Sequence, residues 1–448
     1  MRKPIQQGLL ASLLSLTAGC IWALDLSQAY QLALEGDATL KAARAAAQAG
    51  REQLPIARSQ LLPNVSAGLS RYQNKLSSQQ PNFLGALSES KYDYPSGNTA
   101  LVLRQPLYRP YLSAQLTQAE AQVRDAEAML ALAEQELPVR LGGAYFDALL
   151  AQDQVALALS QVKTYQGQLD AAQKMLAGGS GIRTDVDEAR ARLDMSRAQL
   201  LEAQQYLDQT RQQLEVVLSQ PAGVLAVLAP SKLVLSAPVP ANVVAWIEKA
   251  LANNNEIKVL SARVEASAMD IDKARSGHRP TLDAVAQWRL SRSENQNAVQ
   301  SRYDQRSIGI ELNIPLYRGG GVDASVRQAL AQKEQAEQRL EAARRDLGVR
   351  VLKEYRGVTE GVQKIQALEQ AVRSAEQAVL SSEKSFKAGS RTRVDILNAQ
   401  QRLMIAQRDL AQARYMYLMA KLRLKALGSE ADAQGIAELN QALVAAKP

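Results

Sequence analysis

Hydrophobic and polar residues alternate most strictly at SIGIELNIPL, residues 307–316. Ile308, Ile310, Leu312, Ile314 and Leu316 share one face, and Gly309, Glu311 and Asn313 share the other. Period two over about ten residues is the length of a tilted membrane strand. TLDAVAQWRLS at 281–291 repeats the pattern with Leu282, Ala284, Ala286, Trp288 and Leu290. NVSAGLSRY at 64–72 does so more weakly, through Val65, Ala67 and Leu69, and TALVLRQPL at 99–107 is the least regular. Four strands are expected, at about 62–78, 98–108, 279–293 and 305–317, each pair flanking an exposed loop.

After each strand pair the period changes. From 110 to 177 and from 320 to 387 apolar residues recur every three or four positions, the signature of a helix. At ~1.5 Å per residue each run reaches ~100 Å, too long for a compact domain. Pro138, with Gly142 and Gly143, is the expected kink. Gly178-Gly179 and Gly389 suit left-handed helix ends, and new helices restart at once, through about 217 and 427.

The pattern is written twice. GSGIRTDVDEAR at 179–190 and GSRTRVDILNAQ at 389–400 place Gly, Asp and Ala at matching positions 210 residues apart. Tyr145 and Tyr355 keep that offset, and PLYR at 106–109 recurs at 315–318. Earlier, ALEGDATLK at 33–41 resembles ALANNNEIK at 250–258, and LLPNVSAGL at 61–69 resembles HRPTLDAVA at 278–286, both 217 apart. Fixed-offset similarity marks a duplicated unit. The change of offset falls between the two strands of each pair, where an exposed loop absorbs an insertion. The expected division is a signal segment at 1–23, one repeat at 24–220, a second at 221–430 and a tail at 431–448. Each unit reads helix, strand, loop, strand, long helix, tip, helix. The tips, 178–185 and 388–393, lie at the end opposite the strands.

Composition fits long helices. Aromatic residues make up 4% of the chain, with three Phe, while Ala, Leu, Gln, Arg and Glu dominate long stretches. Arg2 and Lys3 precede the apolar run at 8–18, which is shorter than a bilayer-spanning helix and reads as an export signal. Two processing routes compete: cleavage after Ala23, or lipid attachment at Cys20 in LTAGC. The formal charge of +8 is spread over mixed-sign helical faces such as QKEQAEQRLEAARRD at 332–346. No basic block carries interleaved aromatics, so nucleic acid is not an expected partner.

Four strands with one apolar face each cannot stand alone in lipid, because an open sheet leaves edge groups unpaired. Single-chain outer-membrane barrels have at least eight strands. The chain is therefore expected to share a barrel with copies of itself: two would supply eight strands, three would supply twelve. Twelve would leave an open bore, whereas eight would be nearly filled by side chains.

Across essentially all of the mature chain the sequence resembles the TolC family of outer-membrane export channels. The residues that carry the resemblance are AYFDALLAQ at 144–152, both PLYR segments, the GSGIRTDVDEA tip and the run from Lys387 to Gly428. The resemblance implies an α+β membrane protein. It would be a homotrimer with one twelve-stranded outer-membrane barrel, continuous with a helical tunnel across the periplasm and closed at its inner end by the tips. It also implies a periplasmic adaptor, an inner-membrane ABC transporter or proton-driven pump, surrounding outer-membrane lipid, and an exported protein cargo. The branch it looks most like is type I protein secretion, as in alkaline protease or lipase export; an efflux-pump component is the alternative.

Particular residues follow from the same resemblance. Two positions three apart line the narrowest ring of the closed tunnel, and they match Asp395 and Asn398. One is an acid and one is not, so three chains would present three carboxylates rather than six. The contacts that hold the mouth shut match Arg391, Phe386, Thr184 and Asp185, with Phe386 standing where a tyrosine hydroxyl serves. Gly179, Gly181, Gly389 and Ser390 match the tip turns, where the adaptor docks. A simpler account of the acids is local. Thr392–Asp395 and Thr184–Asp187 both fit a capping pattern, and Arg391 stands four residues before Asp395, as in an ordinary helical pair.

No catalytic set, metal site or cofactor site is expected. His278 is the only histidine and has no Cys or His partner, and Gly319-Gly320-Gly321 lacks any phosphate-binding context. Those glycines suit a chain turning from barrel into tunnel. A secreted periplasmic adaptor or coiled-coil scaffold would share the helical, aromatic-poor composition. It would have no need of membrane-length strand pairs.

Overall fold

A computed structural model describes residues 23–81, 83, 85–295 and 299–445. Of the expected signal segment only Ala23 is among them; Cys20 lies outside the described residues.

The same succession of elements occurs twice. In the first half, α1 (Leu26–Gly36), α2 (Ala38–Arg51) and α3 (Gln53–Ser59) lead to β1 (Asn64–Pro81) and β2 (Leu87–Tyr108). A helical hairpin follows, α4 (Pro110–Ala177) and α5 (Arg183–Leu218). After the short β3 (Val227–Leu228), α6 (Val243–Asn253) and α7 (Asn255–Arg275) lead to β4 (Thr281–Arg292) and β5 (Arg302–Asn313). The second hairpin is α8 (Gly321–Lys387) and α9 (Arg393–Leu427), and α10 (Ala433–Asn440) and β6 (Leu443–Val444) close the chain.

The long strands form one antiparallel sheet in the order β1-β2-β4-β5. Its register aligns the apolar residues in rows: Ala67 lies opposite Leu101, Leu101 opposite Trp288, Ala286 opposite Ile308 and Leu282 opposite Leu312. Cross-strand partners point to the same side of a sheet, so these residues make a continuous apolar band. Ile308 is 88% exposed and Leu69 83%. A large apolar surface of this kind needs a cover, and lipid provides one. Among the described residues the outer edges of β1 and β5 pair with no other strand.

Two strand limits differ most from the sequence pattern, the start of β2 and the end of β5. β2 begins at Leu87, not near 98, so most of the loop expected between the first two strands is ladder. Polar side chains extend that ladder. Asn74 Nδ2 donates to Ser96 Oγ at 2.8 Å, Ser77 Oγ donates to Glu89 Oε1 at 2.8 Å, and Gln73 bonds Asp93. Hydrophobic alternation cannot register such pairs. The first hairpin strands hold 18 and 22 residues against 12 and 12 in the second. At ~3.3 Å per residue the first reaches roughly 20–30 Å further. β5 ends at Asn313, two residues before Pro315, which has no N–H to continue the ladder.

α4 is one 68-residue helix with Pro138, the expected kink position, inside it. Leu137, Leu141, Tyr145, Phe146 and Leu149 beside it are all at most 1% exposed. They form the core with Leu26 and Leu40, Leu214 and Leu218, Leu347 and Ile365, and Tyr417 and Leu422. Close helix approach explains Gly142, where an added Cβ would lie 2.3 Å from Leu422 Cδ2. The Tyr145 hydroxyl lies 2.9 Å from the Leu24 carbonyl and 3.0 Å from that of Ala226, fixing the segment before α1 to this core. The core thus encircles the long helices about midway. One end carries the sheet, and the tips lie about 30 residues beyond the core, ~45 Å at helical rise.

At the sheet end Gly319 and Gly320 take φ of 59° and 76°, the left-handed turn that feeds β5 into α8. His278 Nε2 there lies 3.1 Å from Asp323 Oδ1, both exposed.

Candidate functional site at the helical tips

The two tips fold alike because their glycines and serines do the same work. Gly179 and Gly389 adopt φ of 73° and 77°. The following N–H groups of Ser180 and Ser390 then reach back to the carbonyls of Met175 and Ser385, both at 3.0 Å. These bonds satisfy carbonyls orphaned at the helix ends. Gly181 has a separate reason: a Cβ there would lie 2.7 Å from the backbone nitrogen of Leu176.

The restarts differ. Thr392 is the N-cap of α9, and a capping box joins it to Asp395. The Asp395 carboxylate accepts from the Thr392 N–H at 2.9 Å and from its hydroxyl at 2.8 Å. The backbone bond chiefly, with the hydroxyl second, holds this carboxyl below the usual carboxylate range. A depressed carboxyl pKa means the cap and its charge are present above the ordinary value and are lost only as pH falls through the lowered one. The first tip has no such cap. Ile182 is the N-cap of α5, with no side-chain bond, and Thr184 falls inside the first turn. The capping pattern expected at Thr184–Asp187 is therefore not used; Asp187 instead pairs with Arg183 at 3.4 Å.

Asn398 is half-buried and faces α5. Its Oδ1 accepts from Arg192 Nη2 at 3.0 Å, and Arg192 also reaches Gln401 Oε1 and Glu188 Oε1, both at 2.8 Å. Arg391 donates to Ser382 Oγ at 3.1 Å; among the described residues it forms no ion pair with Asp185 in the same chain. Phe386 carries the guanidinium of Arg393 over its ring, 5.1 Å from the centroid. Arg393 and Arg192 were not singled out in the sequence. Their spacing is that of any arginine on a mixed-charge helix.

A second cluster sits where the sheet meets the helices, on the face opposite the apolar band. Asp283 is 3% exposed. Arg104 Nη1 donates to its Oδ2 and Arg109 Nε to its Oδ1, each at 2.8 Å, and Arg104 Nη2 lies 3.1 Å from Glu311 Oε2. Charges on the polar face of membrane-length strands were the available signal. Alternation alone sorted Glu311 only as polar.

The geometry is that of a conduit wall. Its sheet has an apolar outside and a charged inside, and its helical hairpins end in ordered turns. A family model described as "Outer membrane efflux protein" matches residues 29–220 and 246–429. The proteases secretion protein PrtF of Dickeya chrysanthemi is 32% identical over 434 residues, covering 96% of this chain and 94% of that protein. The alkaline protease secretion protein AprF of Pseudomonas aeruginosa is 33% identical over 406 residues, covering 90% and 84%. The solved structure of the outer membrane protein VceC from Vibrio cholerae superposes with a TM-score of 0.75 at 19% identity, covering 91% of this chain and 97% of that one.

Proposed function

The chain belongs to the outer membrane efflux protein family, and from that premise we propose that three copies form one outer-membrane channel continuous with a periplasmic tunnel, a passive duct for type I protein secretion. The observation that carries this is the four-stranded sheet with an apolar face and two edges that no strand among the described residues pairs. Lipid does not tolerate open edges, so copies must close the ring, and three give twelve strands around an open bore. A periplasmic scaffold would have no use for such a sheet.

Protein cargo is supported by PrtF and AprF, which are named as protease secretion proteins. The working partners are a periplasmic adaptor, docking at the tip turns around Gly179, Gly181, Gly389 and Ser390, and an inner-membrane transporter that supplies the energy. Asp395 forms the aperture ring. Thr184, Asp185 and Arg391 hold adjoining tips, with Arg391 and Asp185 meeting between copies rather than within one, while Phe386 is taken up by Arg393 of its own chain. The half-buried Asn398, occupied by Arg192, sets the wall behind the ring and adds no charge to it.

Deleting the gene should leave a secreted protein cargo inside the cell while susceptibility to small toxic compounds changes little. A strain that still exports all its proteins but becomes drug-sensitive would place the duct in an efflux pump instead.

A further inference from the structure

We propose that Arg393 is the positioning residue that clamps the second tip onto the first and thereby sets where the aperture carboxylate stands. This rests on the channel function proposed above. Arg393 opens α9, yet it is only 6% exposed. Its Nη1 donates to Gln168 Oε1 at 3.0 Å and its Nη2 to Met175 Sδ at 2.8 Å, both on α4. Its guanidinium stacks on Phe386 of α8. One side chain therefore joins three helices and both hairpins.

Every one of these partners is neutral. Among the described residues no carboxylate lies within ion-pair distance of Arg393, and its Nε is buried without an acceptor. Burying a guanidinium on such terms is costly. A stacked aromatic face recovers part of the cost, because the cation–π attraction strengthens when water is excluded. The arginine would swing to solvent unless the two tips were packed around it, so the clamp and the docking of the tips depend on each other.

One turn further on, Leu397, 1% exposed, enters the apolar cluster of Tyr165, Leu169, Val186 and Leu193 on the first hairpin. The start of α9 is thus held at residues 393 and 397, on one helical face. Asp395 lies between them and is directed elsewhere, half a turn away. Removing the clamp frees the turn that carries Asp395.

The test uses purified full-length oligomer with Arg393→Ala, Arg393→Lys, Phe386→Leu and the Arg393→Ala/Phe386→Leu double variant. In planar bilayers Arg393→Ala should raise the open fraction at least several-fold, with oligomer yield unchanged. Arg393→Lys should fall between, since it keeps charge but loses the planar stack. The double variant should be no more open than Arg393→Ala alone, because both changes remove one interaction. Amide exchange should quicken at 393–398 and at 168–175 together in Arg393→Ala. Wild-type gating and unchanged exchange would overturn the clamp, as would additive effects of the two single changes. Oligomers that conduct in no variant would sink the channel function, and the exchange measurement would still decide the clamp.

Discussion

Asp283→Ala is expected to remove most of the heat-resistant oligomer. Asp283 is nearly fully buried and holds Arg104 and Arg109 at the point where β2, β4, β5 and the start of α4 converge. Without it the two arginines face each other, and Glu311, which Arg104 also reaches, is exposed. Breaking a buried pair costs ~3–5 kcal/mol. The arginine side chains here are 44% and 34% exposed, so water restores part of that and about 2–3 kcal/mol per chain remains. Three chains closing one ring multiply the loss. Asp283→Asn, which keeps hydrogen-bonding capacity without the charge, should be intermediate. The measurement is the oligomer fraction on an unboiled gel as temperature is raised. An Asp283→Ala oligomer that melts with the wild type would show that the cluster is solvated and structurally idle.

Arg391→Ser should open the mouth, and Asp395→Ala should change what passes through it. An exposed pair such as Arg391 with a neighbour's Asp185 contributes ~0–1 kcal/mol. Three such pairs acting on one aperture sum to at most ~3 kcal/mol, about a hundredfold in open fraction if they release together. Asp395→Ala should instead weaken cation preference and block by multivalent cations, because three carboxylates focus potential in a narrow mouth. The Thr392 backbone N–H chiefly, with its hydroxyl second, holds that carboxyl below the ordinary range, so wild-type selectivity should persist as pH falls through the usual carboxylate range and fade only beneath it. Single-channel recordings of both variants decide this. Unchanged conductance in Arg391→Ser, together with unchanged selectivity in Asp395→Ala, would reduce these residues to helix caps and move the gate elsewhere.

The parts legible in the sequence are those governed by period. β4 and β5 stand out because Ile308, Ile310 and Leu312 alternate with polar residues, and the long helices because their apolar stripe runs for more than sixty residues. The Thr392–Asp395 capping box is legible for the same local reason. The start of β2 is hidden because Tyr94, Pro95, Ser96 and Gly97 carry turn chemistry, while their pairing depends on partners twenty residues away. Arg393, Arg192 and Asp283 are invisible for one common reason. A charged side chain becomes structural only through what another element brings against it, and no spacing within its own element records that.

The central claim is that one chain supplies a third of a barrel. Brief chemical cross-linking of native outer membranes, resolved by gel, tests it most directly. The account predicts a ladder that ends at three copies and goes no further. A ladder ending at one or two copies would contradict it, since four or eight strands could not then enclose the open bore a protein duct requires.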